Sequence, residues 1–351
     1  MLGIITAVNR ELPHMSDLST TYMGLRLKNP IIAGASALTA NLASIRQLEE
    51  GGAAAIVTKS LFEEQIQLER FTFDEDLEKG NNRNAEMITV RPPLEYAGPA
   101  EHLMWVREAK RAAGIPVIAS LNAVNRETWL DYARKLEDTG VDGLECNVFA
   151  SPKGPDKTAA QIEDEQVAMV SQLKAAMRIP FSVKLSFFYT NPLNVIRRMD
   201  KAGASGFVLF NRMVEPDVDA DTEKNASPFN LSHETDYRLP LRYAGLLEGT
   251  IKADVCCSTG IFDGETVAKA LLAGATAVQT VSALFREGPA HIRTMTRDLE
   301  GWMAAKGYKT LADFRGKLSQ RNVSDPWAYT RAQYVRLLMN PDDHVKNAGT
   351  A

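Results

Sequence analysis

The stretch Val255–Pro289, VCCSTGIFDGETVAKALLAGATAVQTVSALFREGP, decides the fold predicted for this chain. An apolar run over Ala253–Cys257 precedes a turn of small residues, and a helix is predicted from about Asp263 to Ala273. A second apolar run over Thr276–Val281 leads into a second small turn and another helix. Two strand–loop–helix units in succession predict parallel strands joined by right-handed crossovers.

The two turns, Ser258–Gly260 and Ser282–Ala283, carry small residues where a strand ends and a helix begins. Backbone N–H groups in such a turn can close on an anion, helped by the positive end of the helix dipole. The last two units of a (β/α)8 barrel hold a phosphate in this way. Two ordinary turns, with small residues for tight packing, explain this stretch equally well.

The bulk composition limits the class of protein. The chain has 351 residues, of which 45% are hydrophobic and 24% charged, so a large core is available. A formal net charge of −4 argues against a nucleic-acid-binding protein, which needs a basic surface. No apolar run approaches the roughly 20 residues of a membrane span. The cysteines Cys146, Cys256 and Cys257 lack metal-ligand spacing, so we expect no metal site and a cytoplasmic location.

Eight apolar runs, nearly all followed by a helix, predict a single (β/α)8 barrel over residues 16–320. A two-domain Rossmann-type protein is the alternative, weakened because no G-x-G-x-x-G follows a first strand. Residues 1–15 are interpreted as a leader or an over-long start, and 321–351 as a helical tail. A small hairpin is expected at Thr20–Leu27, and long irregular loops at Phe62–Pro99, Phe149–Lys157 and Met213–Leu239.

Polar residues stand where most of the predicted strands end, at the edge where a barrel gathers its functional groups. They are Ser36, Thr58, Lys59, Ser60, Asn122, Asn147, Lys184, Asn211, Ser258 and Thr259. Amides present donors and acceptors together, which suits a planar heterocycle with alternating C=O and N–H edges. A lysine at the mouth can neutralise a phosphate, form a Schiff base or stabilise negative charge on a ring.

With these strand ends the chain resembles the dihydroorotate dehydrogenase family of FMN-dependent (β/α)8 barrels, and its class 1 members in particular. The residues that carry the resemblance run in consistent order from about Asp17 to Leu318. They include Asn29-Pro30, Val57-Thr58-Lys59-Ser60, Leu144-Glu145-Cys146-Asn147, Val183-Lys184-Leu185, Asn211, Thr259-Gly260-Ile261, Ser282-Ala283-Leu284 and Ala312-Asp313-Phe314-Arg315-Gly316.

The resemblance implies FMN as the cofactor and assigns roles to individual residues. The cofactor-binding set would be Ala35, Ser36, Lys59, Ser60, Asn122, Asn147, Lys184, Asn211, Thr259, Gly260, Ser282 and Ala283. Asn147 and Asn211 would also face the substrate. Lys184 would favour the anionic reduced flavin, and the two small turns, now read as one anchor, would take the FMN phosphate.

Two departures from the family pattern lie on the substrate side. The family's catalytic Cys or Ser stands three residues after the strand-end asparagine, where this chain has Ala150. Ser151-Pro152 restores the pair only with a one-residue insertion, so Ser151 becomes the expected acid/base beside Lys59 and Lys184. The family's Asn-rich substrate loop corresponds here to Glu86–Gly98, which has no such amide. Loss of buried hydrogen-bond partners weakens dihydroorotate binding, so the native substrate is expected to differ.

The sequence therefore predicts an FMN-dependent oxidoreductase acting on dihydroorotate or a related small anionic substrate. Two alternatives remain open: a flavin-binding accessory subunit of a redox complex, and a Schiff-base lyase using Lys59 or Lys184. The resemblance implies a homodimer and admits an iron–sulfur partner subunit, because this chain has no cysteine set for a cluster. No nucleic acid, membrane or metal is expected as a partner.

Overall fold

Eight parallel strands close into a barrel. The computed structural model describes residues 16–66, 99–122, 126–148, 155–212, 217–226, 231–330, 335, 338 and 339. In chain order its strands are β1 Thr20–Tyr22, β2 Leu25–Leu27, β3 Ile31–Ala33, β4 Ala55–Val57, β5 Leu61–Phe62, β6 Val117–Asn122, β7 Gly143–Val148, β8 Phe181–Leu185, β9 Gly206–Leu209, β10 Asp217–Asp219, β11 Lys224–Ala226, β12 Asp254–Ser258 and β13 Ala277–Thr280. The barrel order is β4-β3-β13-β12-β9-β8-β7-β6, and pairing of β6 with β4 closes it. The predicted (β/α)8 barrel is confirmed, and the two-domain alternative is wrong.

Nine α-helices of six or more residues accompany the strands in the described part of the chain. They are α1 Leu42–Glu50, α2 Pro99–Ala112, α3 Arg126–Glu137, α4 Ala159–Ala176, α5 Pro192–Ala202, α6 Arg238–Leu247, α7 Gly264–Ala273, α8 Ser282–Glu287 and α9 His291–Lys306. Side-chain caps fix several starts: the Asp263 carboxylate accepts from Thr266 N at 2.7 Å, and the Asn41 amide oxygen accepts from Ser44 N at 2.9 Å. The cap at Asp263 explains why α7 begins within one residue of its predicted start.

The predicted hairpin closes the amino-terminal end of the barrel. Strands β1 and β2 pair antiparallel, and the buried side chains of Tyr22 and Met23 pack with the interior layer formed by Ile32, Val57, Ile118, Val208, Cys256 and Ala277. A β-carbon on Gly206 would come within 3.0 Å of Met23 Cγ, so the plug sits tight against the strand bottoms. Groups that bind from solvent must therefore enter at the carboxyl ends of the strands.

Three local features differ from the sequence-based expectations. The predicted loop Met213–Leu239 contains the antiparallel hairpin β10–β11, whose strands are exposed except for half-buried Ala226. Helix α6 begins at Arg238, inside the segment that was expected to be this loop. In the predicted loop that starts at Phe62, strand β5 pairs with β6 and residues 63–66 are helical. Strands β5, β10 and β11 are only two or three residues long, too short for a hydrophobic periodicity to reveal them.

The described part of the tail contains a 3-10 turn, Pro326–Tyr329, so the predicted helical character of 321–351 stays a prediction. The predicted leader 1–15 lies outside the described residues. Among the helices that the structure describes, none combines the length and apolarity needed to cross a membrane.

Candidate active site at the carboxyl ends of the strands

A buried ionic cluster lies inside the barrel, just below its open end. The Lys184 ammonium lies 3.3 Å from Glu145 Oε1 and donates to Gln279 Oε1 at 3.2 Å. The Gln279 amide donates in turn to Glu145 Oε2 at 2.5 Å. These residues come from β8, β7 and β13, and each is at least 93% buried. A positive group is therefore held at the mouth by partners from two sides.

A hydroxyl–amide cluster adjoins the ionic one. Asn147 Nδ2 donates to Ser120 Oγ at 3.0 Å and to Ser60 Oγ at 3.3 Å, and the two hydroxyls lie 2.7 Å apart. Asn147 pairs in register with Lys184 across β7 and β8, so the two clusters adjoin at this level of the interior. Because both Asn147 N–H groups have partners, its Oδ1 is the atom left to accept from a ligand.

Lys59 and His102 form the third side of the mouth. Burial lowers the pKa of Lys59 from its ordinary value. On α2, burial and then the charge of Lys59 lower the pKa of His102 from 6.5 to about 4, so its imidazole is neutral at pH 7. The buried His102 Nε2 has no hydrogen-bond partner among the described residues.

The two small turns lie side by side because β12 and β13 pair in parallel, with Ser258 opposite Gln279. Thr259 adopts φ +79°, a left-handed conformation unfavourable for a β-branched residue, and its hydroxyl donates to the Phe210 carbonyl at 3.1 Å. Gly260 follows at φ +73°, and a β-carbon there would lie 2.3 Å from Tyr237 N. The first turn is thus pressed against the residues that lead into α6.

A second segment covers the turn at Ser282. Ser232 donates to Ser282 Oγ from its backbone N–H at 2.9 Å and lies 2.8 Å from it through its own hydroxyl. Arg286 donates to the Ser232 carbonyl at 3.2 Å, which brings a cation beside the turn. Asp236, in the same segment, pairs with Arg212 at 2.7 Å. Residues 231–237 therefore tie the ends of β9, β12 and β13 together.

The predicted site residues in the described part of the chain all follow or end barrel strands at this one face. Ser36 has a local structural role as well, since its hydroxyl caps the 3-10 turn Ala37–Thr39. Asn122 and Asn211 are half-buried at the rim, where the Asn211 N–H donates to the Leu185 carbonyl at 2.7 Å. Ser151 and the divergent loop Glu86–Gly98 lie outside the described residues, so their predicted roles stay predictions.

Sequence reasoning missed several residues that the structure brings to the mouth. They are Ser120, Glu145, Gln279, His102 and Ser232. A signal existed for the first two, because Ser120 and Glu145 stand two residues before Asn122 and Asn147 and therefore share their face of the strand. Nothing local distinguishes Ser232, which meets a partner 50 residues away.

The chemistry of these donors fits FMN. Two cations, several amides and two hydroxyls surround one opening, which matches the alternating carbonyl and N–H edge of an isoalloxazine ring. The close approach of backbone at Gly260 and the cation at Arg286 suit the phosphate end. Among the described residues no group of His, Cys, Asp and Glu has the arrangement of a metal site.

Comparison with known proteins finds similarity to dehydrogenases over most of the chain. The profile of one family, dihydroorotate dehydrogenase, matches residues 98–303, more than half of the chain. The chain is 27% identical to the catalytic subunit of dihydroorotate dehydrogenase B (NAD(+)) from Thermoplasma volcanium, covering 88% of this chain and 100% of that protein. It is 26% identical to a putative dihydroorotate dehydrogenase A (fumarate) from Aeropyrum pernix, covering 86% and 97%. Dihydropyrimidine dehydrogenase (NADP(+)) of Arabidopsis thaliana chloroplasts is 22% identical, covering 86% and 76%.

Proposed function

The chain belongs to the dihydroorotate dehydrogenase family, and we propose that it is an FMN-dependent dehydrogenase of a small anionic substrate. The reaction is the oxidation of a CH–CH or CH–NH bond, with dihydroorotate as the reference substrate. FMN, when bound, supplies the hydride acceptor. The cluster of Lys184, Glu145 and Gln279 at the barrel mouth carries this proposal, because a buried cation there matches the electron-rich edge of a flavin.

The chain's own residues divide the work of binding. Lys184 and Lys59 supply positive charge along one edge of the ring, and Asn147 offers a carbonyl oxygen whose orientation its two serine partners fix. Asn122 and Asn211 add amides at the rim. The turns at Thr259–Gly260 and Ser282–Ala283 hold the phosphate mainly through backbone N–H groups, because the Ser282 hydroxyl is already engaged by Ser232.

Substrate choice is the part of the proposal that departs from the family. Asn147 and Asn211 contact the substrate, and Ser151 removes its proton, since Ala150 has no group that accepts one. The Glu86–Gly98 stretch lacks the family's amides, so we propose an anionic substrate other than dihydroorotate itself. The Thermoplasma volcanium relative is a catalytic subunit, which supports a partner subunit for this chain as well. We propose that this partner carries an iron–sulfur cluster and receives the electrons, and that the core is a homodimer.

The accessory-subunit alternative makes the same flavin prediction but no turnover with any reduced substrate. The lyase alternative needs a lysine free to attack a carbonyl carbon. Lys184 is engaged by a carboxylate and an amide, which disfavours it as a nucleophile. Borohydride trapping with a carbonyl substrate tests Lys59 and Lys184 directly, and we expect no covalent adduct.

Reconstitution with FMN tests the proposed function. We expect FMN to copurify with the protein and to be detected by its absorbance at about 450 nm. Lys184→Gln should weaken FMN retention. Lys201→Gln, at an exposed position on α5, should leave FMN retention unchanged. Anaerobic mixing with dihydroorotate and a panel of reduced dihydropyrimidines and other reduced anions then ranks substrates by the rate of flavin bleaching. Protein that binds no FMN would refute the proposal, and fast bleaching by dihydroorotate would refute the altered specificity alone.

A further inference from the structure

We propose that Glu145 is a positioning residue that fixes the Lys184 ammonium and offsets its charge, so that a buried ion pair sets the redox potential of the flavin. This inference rests on the proposed FMN function. It goes beyond that function because it gives a role to Glu145, which the proposed function does not use for binding and which contacts Lys184 directly.

The geometry makes a closed ring of three side chains. One carboxylate oxygen of Glu145 accepts a hydrogen bond from Lys184, and the other accepts one from the Gln279 amide N–H. The amide oxygen of Gln279 accepts a second hydrogen bond from Lys184. Glu145 lies two residues before Asn147 on β7, one interior layer below the mouth. Gln279 reaches Lys184 from β13, three strands away in the barrel order. Glu145 and Gln279 therefore use all their side-chain hydrogen-bonding groups, except one amide N–H of Gln279, in this ring around Lys184.

The donor count of Lys184 points toward the ligand. An ammonium group has three N–H donors, and Glu145 and Gln279 take two of them. The third remains for an acceptor at the open end, where the ring of FMN is proposed to lie. The two hydrogen bonds to Glu145 and Gln279 thus orient the Lys184 ammonium so that its third N–H points toward the open end of the barrel.

Stability alone is a poor reason for this arrangement. Desolvation of two charges commonly offsets their attraction, and a well-packed apolar set of similar volume is often as stable. Two of the neighbouring interior side chains, Cys256 and Tyr22, add no charge, since burial raises the pKa of each well above its ordinary value and keeps it neutral. Lys184 and Glu145 are therefore the opposite charges in direct contact in this part of the interior.

Charge accounting gives a specific order of potentials. Wild-type protein carries one positive and one negative charge, Glu145→Gln one positive, Lys184→Gln one negative, and the double variant neither. Positive charge favours the reduced, anionic flavin. We expect the FMN midpoint potential to be highest in Glu145→Gln, lowest in Lys184→Gln, and similar in wild type and the double variant. Each single step should change the reduction equilibrium about tenfold, which is about 30 mV for a two-electron couple.

Dye-equilibration potentiometry on the four flavin-loaded proteins tests the inference, with Glu108→Gln on the exposed face of α2 as a matched control that leaves the potential unchanged. Sulfite affinity of the oxidised flavin is a second readout and should follow the same order. If Glu145→Gln does not fold, Lys184→Gln against the double variant still isolates the Glu145 charge, and the double variant should be higher. Equal potentials in those two would overturn the inference alone, whereas failure of wild-type protein to bind FMN would overturn the proposed function with it.

Discussion

The side chain of Val281 occupies the space that a side chain at Gly34 would need. Val281 Cγ2 lies 2.7 Å from the position of an ideal β-carbon on Gly34, and Gln279 Oε1 lies 3.3 Å from it. Gly34 follows β3, and Val281 precedes the turn at Ser282, so the two strand ends interlock beside the proposed phosphate anchor. A larger side chain at position 34 can therefore be accommodated only if the side chain at position 281 is smaller.

Gly34→Ala is therefore expected to destabilise the protein by about 1–3 kcal/mol, because the added methyl group overpacks the strand ends. Val281→Ala alone loses about 1 kcal/mol by leaving a small cavity. The double variant should recover much of the loss of Gly34→Ala, and urea unfolding of the four proteins measures the coupling. Additive losses in the double variant would contradict the interlock.

Ser120→Ala tests the hydroxyl–amide cluster. The substitution removes the acceptor at 3.0 Å from the Asn147 amide and the partner of Ser60, and leaves a buried donor unpaired. We expect a loss of about 1–3 kcal/mol in the free energy of unfolding and weaker FMN retention. Ser171→Ala, at an exposed position on α4, is the matched control and should change neither quantity. FMN affinity equal to wild type in Ser120→Ala would show that the orientation of Asn147 does not matter for binding.

The barrel was predictable because its signals are local and repeated. Asp263 and Asn41 announce helix starts through their capping side chains, and the strand-end amides Asn122 and Asn147 stand where the apolar runs stop. Glu145 was passed over because parallel strands are buried on both faces, so one charged residue within an apolar run does not reveal which face it occupies. Its partners Lys184 and Gln279 stand 39 and 134 residues further on, a relationship that only the closed barrel defines.

Thr259 carries a testable conformational strain. Its φ of +79° suits glycine, while its hydroxyl bond to the Phe210 carbonyl stabilises the turn. Thr259→Ala keeps most of the strain and loses the bond, so we expect a loss of about 1 kcal/mol. Thr259→Gly also loses the bond but relieves the strain, and should be about 1 kcal/mol more stable than Thr259→Ala. Thr259→Ser should stay close to wild type. Urea midpoints that do not separate the Gly and Ala variants would contradict the strain.

His102 gives the folded protein a specific dependence on pH. Its folded-state pKa is about 4 against 6.5 for an unperturbed imidazole, so the unfolded chain binds the proton first. Stability is therefore fully present above pH 6.5 and falls as pH drops through the window toward 4. Between about pH 7.5 and about pH 4.5, protonation of His102 should lower the free energy of unfolding of the wild-type protein by about 2 kcal/mol. The His102→Gln variant should not show this loss.

The difference in unfolding free energy between wild type and His102→Gln, followed by urea titration across that window, isolates this contribution from the carboxylates, which both proteins share. His233→Gln makes the same substitution at an exposed histidine and is the matched control. Because the charge of Lys59 contributes to the lowered pKa of His102, Lys59→Gln should raise that pKa. The pH range over which His102 reduces stability should then become narrower. Parallel profiles for wild type and His102→Gln would show that the imidazole is solvated in the folded protein, and would remove His102 from the mouth of the barrel.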